Sequence, residues 1–419
     1  MPHPSLLNRR PQGRSLVTAA VAAAVLAATV APSCFAGAGL RSSHIQPYGL
    51  VTRAGLAGDI SAILTAPYRF VRLASITKEV AEEAKERAKS KKPSKEGAAK
   101  GSSSAATLKA FLPSYMRSHV IARTPPDEYK QHLRTTLTVI LDSIMAEELY
   151  PFEPYHEAVR GPEIDHYAWG NAFFRSMVKF RNSRVLGKQN LDAIKKVLDA
   201  GENVVLFANH QTEADPQVIS LLLEREGFED VARECIFVAG HKVTTDRLAI
   251  PFSMGRNLLS IFSKKYLDEG TADEKQAKAA RNQDTVGAMQ RLMKEGGHTF
   301  WVAPSGGRDR KRTDTDKFAP AKFDQQSVGL FVLLAQKAAK GGAKTHFFPL
   351  AMWTHRLVPP PDDTVSKVGE ARSAARASVG LNFGSEIDLE AVGGRKKFPG
   401  ICEQAVNDLY DELDEKMTR

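Results

Sequence analysis

"NVVLFANHQTEADP", residues 203–216, decides the fold class. A short apolar run, Val204, Val205, Leu206 and Phe207, stops at Asn209. His210 follows at once, then Asp215 five positions later and Pro216 after it. An apolar run of this length bounded by polar residues reads as a buried strand, and Asp-Pro reads as a helix start. A strand end therefore presents an imidazole and a carboxylate together.

The same alternation continues downstream. After Gly201 come "VISLLLE", "CIFVAG", "LLSIFS", "TVGAMQRLMKE", "HTFWVAP", "VGLFVLLAQKAA" and "HFFPLAM", then "SVGLNFGSEI" as a late strand and "ICEQAVNDLYDELDEKM" as a closing helix. Short apolar runs alternating with helical stretches predict an α/β domain with a mainly parallel, mixed sheet flanked by helices. There is no internal repeat, no GxxxxGK[ST] and no well-placed GxGxxG. Upstream, "PPDEY" supplies a helix start, and Leu133, Leu137, Ile140, Leu141 and Ile144 share one helical face. A small α-helical bundle is expected to precede the α/β domain. The expected division is 1–58 as presequence, 59–104 as a helix and low-complexity linker, 105–185 as the helical domain and 186–419 as the α/β domain.

Charge is distributed unevenly. The chain carries a formal net charge of +10, but residues 1–104 hold 15 Lys+Arg against 6 Asp+Glu, whereas the remainder holds 43 against 42. The body is nearly neutral, so no nucleic-acid partner is expected and its basic residues are read site by site. The N-terminal excess reads as an address. Residues 1–58 contain five Arg and no Asp or Glu. The Ala-rich stretch after Arg9, Arg10 and Arg14 resembles a signal peptide, and the basic, hydroxyl-bearing run after Phe35 resembles a transit peptide. Together they predict a bipartite presequence of the kind that leads to a complex plastid. The three cysteines, Cys34, Cys235 and Cys402, form no CxxC or metal spacing. A reducing compartment fits.

Four patches with chemistry fall at strand ends or adjoining loops, where open α/β sheets gather ligands. In the first, His210 and Asp215 form either a dyad, with the carboxylate orienting one ring nitrogen so that the other accepts a proton, or a helix N-cap beside a histidine satisfied by backbone. In the second, "SMGRNLLSIFSKKYLD", Arg256, Lys264 and Lys265 flank a strand-like run; they read as anion ligands or as a surface charge cluster. The third, "WVAPSGGRDR", runs a strand into Gly306 and Gly307 and then Arg308 and Arg310. Glycines let backbone approach an anion, and guanidinium forks bind phosphate. The fourth, "FFPLAMWTHRLVPPP", reads as a buried strand walling a cleft.

In this order the four patches resemble the blocks of the glycerolipid acyltransferases. The finer text ("NHQTEADP", "PFSMGRNL", "SKK", "APSGGRDR", "FPLA", "PPP") is similar to the soluble plastid glycerol-3-phosphate acyltransferases over about residues 120–390. The resemblance implies acyl transfer from acyl-acyl carrier protein, with acyl-CoA a weaker donor, to the 1-hydroxyl of glycerol 3-phosphate. His210 would act as general base oriented by Asp215. Lys265, Tyr266, Arg308 and Arg310 would bind the phosphate, with Arg256, Lys264, Gly306 and Gly307 as additional candidates. No metal or cofactor is implied, and peripheral contact with a plastid membrane is compatible. The chain departs from the family at Tyr266, where histidine is common. Pro304-Ser305-Gly306 replaces the Pro-Glu-Gly of the broader class, which argues against the alternative of a lysophosphatidate acyltransferase. A non-catalytic lipid- or anion-binding protein on the same fold is the other alternative.

Overall fold

The computed structural model describes residues 53–90, 95–359 and 372–419, without the side chains of 53–68, 88–90, 95–103, 105–106, 264 and 265. Most of the expected presequence, residues 1–52, and two prolines of the "PPP" run, Pro360 and Pro361, lie outside these. Two compact units are present, one ending at Glu148 and one running Leu149–Arg419.

The first unit packs three helices, Arg53–Ser90, Lys95–Ala122 and Pro126–Met145. Helix continues through residues 95–104, where the Lys/Ser/Gly-rich text predicts a linker; Ser104 and Thr107 are buried there, so tertiary packing overrides weak local propensity. Leu133, Leu137, Ile140, Leu141 and Ile144 are all buried, as their spacing predicts. Two polar contacts lie inside the bundle: the Thr77 and Tyr129 hydroxyls are 2.9 Å apart, and Tyr115 Oη lies 2.7 Å from His132 Nε2.

The second unit is built on an eight-stranded sheet. Its strands are β1 (Tyr155–His156), β2 (Arg184–Leu186), β3 (Asn203–Ala208), β4 (Ile236–Gly240), β5 (Asn257–Ile261), β6 (Thr299–Val302), β9 (Thr345–Trp353) and β10 (Gly380–Phe383). A separate hairpin pairs β7 (Arg310–Lys311) with β8 (Phe318–Ala319). The sheet order is β1-β5-β4-β6-β3-β9-β10-β2. Strands β5, β4, β6, β3 and β9 run parallel; β1 pairs antiparallel with β5 and β10 antiparallel with β9. The sheet is thus mixed and mainly parallel, with helices against it.

Strand β3 is buried at every position. That is why its sequence is a continuous apolar run rather than an alternation: both faces of a central parallel strand are covered. Val205 and Phe207 pack with Phe300, Phe347 and residues of the helices Ala272–Glu295, Gln325–Ala339 and Phe398–Thr418. Val204 and Leu206, displaced by one residue, face the other side and are equally buried. The sequence pattern groups the helix His166–Arg175 with residues 105–185. In the structure its Trp169 stacks on Phe252 at 4.6 Å and its Phe173 meets the same ring at 5.0 Å, which ties it to the sheet-containing unit.

Candidate functional site

The strand order lines up the exits of β5, β4, β6 and β3 along one edge of the sheet. From β3 the chain leaves through Asn209 and His210 and turns into the helix Asp215–Arg225. Local chemistry makes this turn. Thr212 Oγ1 accepts from Ala214 N at 2.9 Å, Thr212 O accepts from Asp215 N at 3.0 Å, and Pro216 occupies the first turn of the helix, where a missing N–H costs nothing.

The turn brings His210 Nδ1 to 2.8 Å from Asp215 Oδ2. The same oxygen accepts from Gln211 N at 2.7 Å and Thr212 N at 3.2 Å, and Oδ1 accepts from Thr354 Oγ1 at 2.6 Å. Asp215 is fully buried, and these four contacts give both of its oxygens hydrogen-bond partners. An Nδ1–H donated to that carboxylate leaves His210 Nε2 as the proton acceptor. The imidazole is one quarter exposed and meets Trp301 edge-on at 5.7 Å, so one side of the ring is open to a substrate and the other is fixed.

Leaving β6, the chain passes Pro304 and Ser305 to Gly306, whose φ of +66° is the left-handed conformation glycine adopts at least cost. Asp309 then staples this exit to that of β3. Its N–H donates to His210 O at 2.6 Å, its Oδ2 accepts from Asn209 Nδ2 at 2.7 Å and its Oδ1 from Ala321 N at 2.9 Å. Asp309 is buried and Arg310 is partly exposed, while the Arg308 side chain, beside Glu213, is only 7% exposed. Asp309 thus ties the segment that carries Arg308 and Arg310 to the backbone of His210.

The acyltransferase family profile matches residues 182–353, which run from before β2 to the end of β9. A chloroplastic glycerol-3-phosphate acyltransferase of Cucurbita moschata is 38% identical over 282 residues, covering 67% of this chain and 60% of that protein. The chloroplastic enzyme of Arabidopsis thaliana is 34% identical over 285 residues, covering 67% of this chain and 61% of that one. This chain belongs to the acyltransferase family. It spans about three-fifths of the length of these relatives.

The remaining candidates divide within this acyltransferase-family sheet. Lys264 and Lys265 lie in a short helix, Lys264–Leu267, directly after β5; their side chains are outside those described. Tyr266 meets the His241 ring edge-on at 4.8 Å, and Lys242 Nζ lies 4.9 Å from its ring centroid. Arg256 is not brought to this edge. It precedes β5, at the opposite end of the strand, and is only 4% exposed. Its guanidinium donates to Ser220 Oγ at 2.6 Å and to Asn171 Oδ1, and stacks 4.8 Å from the Tyr167 ring centroid. Burial pushes its pKa down to about 10, and the neighbouring Tyr167 and Cys235 push back. Gly255 beside it has a packing reason, since a Cβ there would lie 2.4 Å from His166 O. The Gly-Arg block thus joins the helix His166–Arg175 to the sheet. Among the described residues, no group of His, Cys, Asp and Glu is placed to hold a metal ion.

Several residues that hold the site were not singled out from the sequence. Asn209 donates to Met352 O at 3.0 Å and accepts from Met352 N at 2.7 Å, locking β3 to β9. Gln211 Oε1 accepts from Thr354 N at 2.7 Å, and its Nε2 donates to Tyr410 Oη at 3.1 Å. The available signal was their polarity at the end of an apolar strand: both are fully buried, and such groups require partners.

Burial pushes the Asp309 carboxyl up to about 7, against the hydrogen bonds from Asn209 and Ala321 and the nearby His210. Its folded pKa thus exceeds the ordinary value of about 3.9, so the native state holds a proton that the unfolded chain releases. This contribution to stability is complete below about pH 4 and is lost as pH rises to about 7. Asp309→Asn removes the titration. Relative to wild type, its urea midpoint is expected to improve between about pH 5 and about pH 7.5. A difference between the two proteins that stays constant with pH would show that Asp309 titrates normally.

Proposed function

We propose that the chain transfers a fatty acyl group from acyl-acyl carrier protein to the 1-hydroxyl of glycerol 3-phosphate, giving 1-acylglycerol 3-phosphate. The observation that carries this reading is the 2.8 Å His210–Asp215 pair at the end of β3, stapled by Asp309 to the exit bearing Arg308 and Arg310. His210 Nε2 takes the proton of the hydroxyl as its oxygen attacks the thioester carbonyl. Asp215 stabilises the imidazolium that forms. The tetrahedral intermediate then expels the carrier's thiolate, which receives the proton from His210. Lys265, Tyr266, Arg308 and Arg310 hold the phosphate, with Gly306 and Gly307 permitting close approach.

Residues 1–58 act as a plastid-directed presequence, in keeping with the chloroplastic relatives. Among the described residues no helix is long and apolar enough to cross a membrane. Acyl-CoA serves as a weaker donor. The direct test is transfer of labelled acyl groups from acyl-acyl carrier protein to glycerol 3-phosphate and, separately, to lysophosphatidate. Turnover of lysophosphatidate alone would overturn the assignment of acceptor, and turnover of neither would overturn the enzyme.

Arg310→Ala is expected to raise the KM for glycerol 3-phosphate by roughly 10- to 100-fold, the worth of a charge-assisted hydrogen bond, while the KM for acyl donor changes little. Equal increases for both substrates would remove Arg310 from the phosphate site.

A further inference from the structure

Arg372 stands where the chain re-enters the described fold before β10. Its side chain is 13% exposed and closes a fork on Glu213, with Nε 2.6 Å from Oε2 and Nη2 2.9 Å from Oε1. Nη2 also lies 3.0 Å from Asp246 Oδ2. Glu213 belongs to the turn between His210 and Asp215, and Asp246 belongs to the loop leaving β4, where its N–H donates to Lys242 O at 2.9 Å. Arg308, from the exit of β6, places Nη1 3.7 Å from Glu213 Oε1. One guanidinium therefore joins the exits of β3 and β4 directly and reaches that of β6 through Glu213.

The cluster holds two carboxylates and two guanidiniums and is neutral as a set. Glu213 is the critical member, because its charge lies beside an arginine assigned above to a phosphate. Were Arg372 absent, that carboxylate would be balanced by Arg308 alone. It would hold Arg308 more tightly than the present 3.7 Å contact and repel an incoming dianion, since like charges in a partly desolvated site interact strongly. Burial works against the Glu213 charge, yet Arg372, with Arg308 and His210, holds its pKa below the usual carboxylate range.

We infer that Arg372 is a positioning residue for substrate binding: it takes up the Glu213 charge and so weakens the hold of that carboxylate on the Arg308 guanidinium, which the function proposed above assigns to the phosphate of glycerol 3-phosphate. The inference rests on the function proposed above. Arg372 touches no reacting atom, so its effect falls on acceptor binding and not on the proton transfer at His210.

Titration calorimetry with glycerol 3-phosphate, together with steady-state kinetics and thermal midpoints, tests it. Arg372→Met is expected to weaken binding by about 10-fold or more, with a smaller change in kcat and none in the KM for acyl donor. Arg372→Lys keeps the charge but loses the fork, so its loss is smaller. The double variant Arg372→Met with Glu213→Gln is expected to recover most of the affinity, although it removes both partners. A merely structural tie predicts the reverse, a double variant at least as weak as the single. Glu213→Gln alone is expected to bind at least as tightly as wild type, which keeps the test decisive if Arg372→Met fails to fold. Wild-type affinity in Arg372→Met, no recovery in the double variant, or weakened binding in Glu213→Gln would overturn the inference. A wild-type protein that does not bind glycerol 3-phosphate would overturn the proposed acceptor and this inference together, whereas a binding wild type with unaffected variants sinks the inference alone.

Discussion

His210→Ala is expected to lower acyl transfer on the order of 10²- to 10⁴-fold, the range that a positioned general base supplies. The fold should survive. The His210 side chain is one quarter exposed, and removing it leaves Asp215 with three of its four donors, the Gln211 and Thr212 amides and the Thr354 hydroxyl. No buried carboxylate oxygen is stranded, so the thermal midpoint should change little. Glycerol 3-phosphate should still bind, because its proposed phosphate ligands lie on other loops. Turnover, calorimetry and thermal melting on one preparation check all three points. Turnover at the wild-type rate would end the general-base assignment.

Asp215→Asn should separate orientation from charge. The amide oxygen can take the place of Oδ2, accepting from His210 and the two backbone amides. The amide nitrogen would then face Thr354 Oγ1, which lies 2.6 Å from Oδ1 in the wild type and can accept as well as donate. The imidazole thus keeps its place but loses the negative charge that stabilises its protonated form. A fall in kcat of roughly 10²-fold is expected, with the KM for glycerol 3-phosphate changed only a few-fold. Asp215→Ala should differ by also losing stability, since each buried donor left without a partner costs about 1–3 kcal/mol. If Asp215→Asn retains wild-type kcat, the carboxylate serves the turn and not the proton transfer.

Both variants lie within a stretch whose meaning was legible from its residues. The H-x-x-x-x-D spacing spans a strand exit and the first turn of a helix, and each half has a local signal, the apolar run before it and Asp-Pro after it. The open choice between a dyad and an N-cap was a matter of distance, and the 2.8 Å contact decides for the pair. Arg308 and Arg310 were legible as two cations after a Gly-rich strand exit, because that pattern lies within a few residues of the chain. Arg256 was not. Its cation, sitting in a motif with Gly255 and Asn257, reads the same whether it faces a ligand or is buried against Ser220, Asn171 and Tyr167.

By itself, then, the sequence determined what is short-range: the α/β class from apolar runs alternating with helical stretches, and the turn that joins His210 to Asp215. Periodicity, turn chemistry and spacing act within a few residues, so they survive without coordinates. The tertiary structure alone decided the strand order that sets the exits of β5, β4, β6 and β3 side by side, and the partners drawn from far along the chain. Arg372 meets Glu213 across 159 positions, Asn209 meets Asp309 across 100, and Gln211 meets Tyr410 across 199. A carboxylate or an amide looks alike in the sequence whether water or a distant guanidinium satisfies it. Only the packing of the sheet determines which, because burial removes the water and makes the distant partner obligatory.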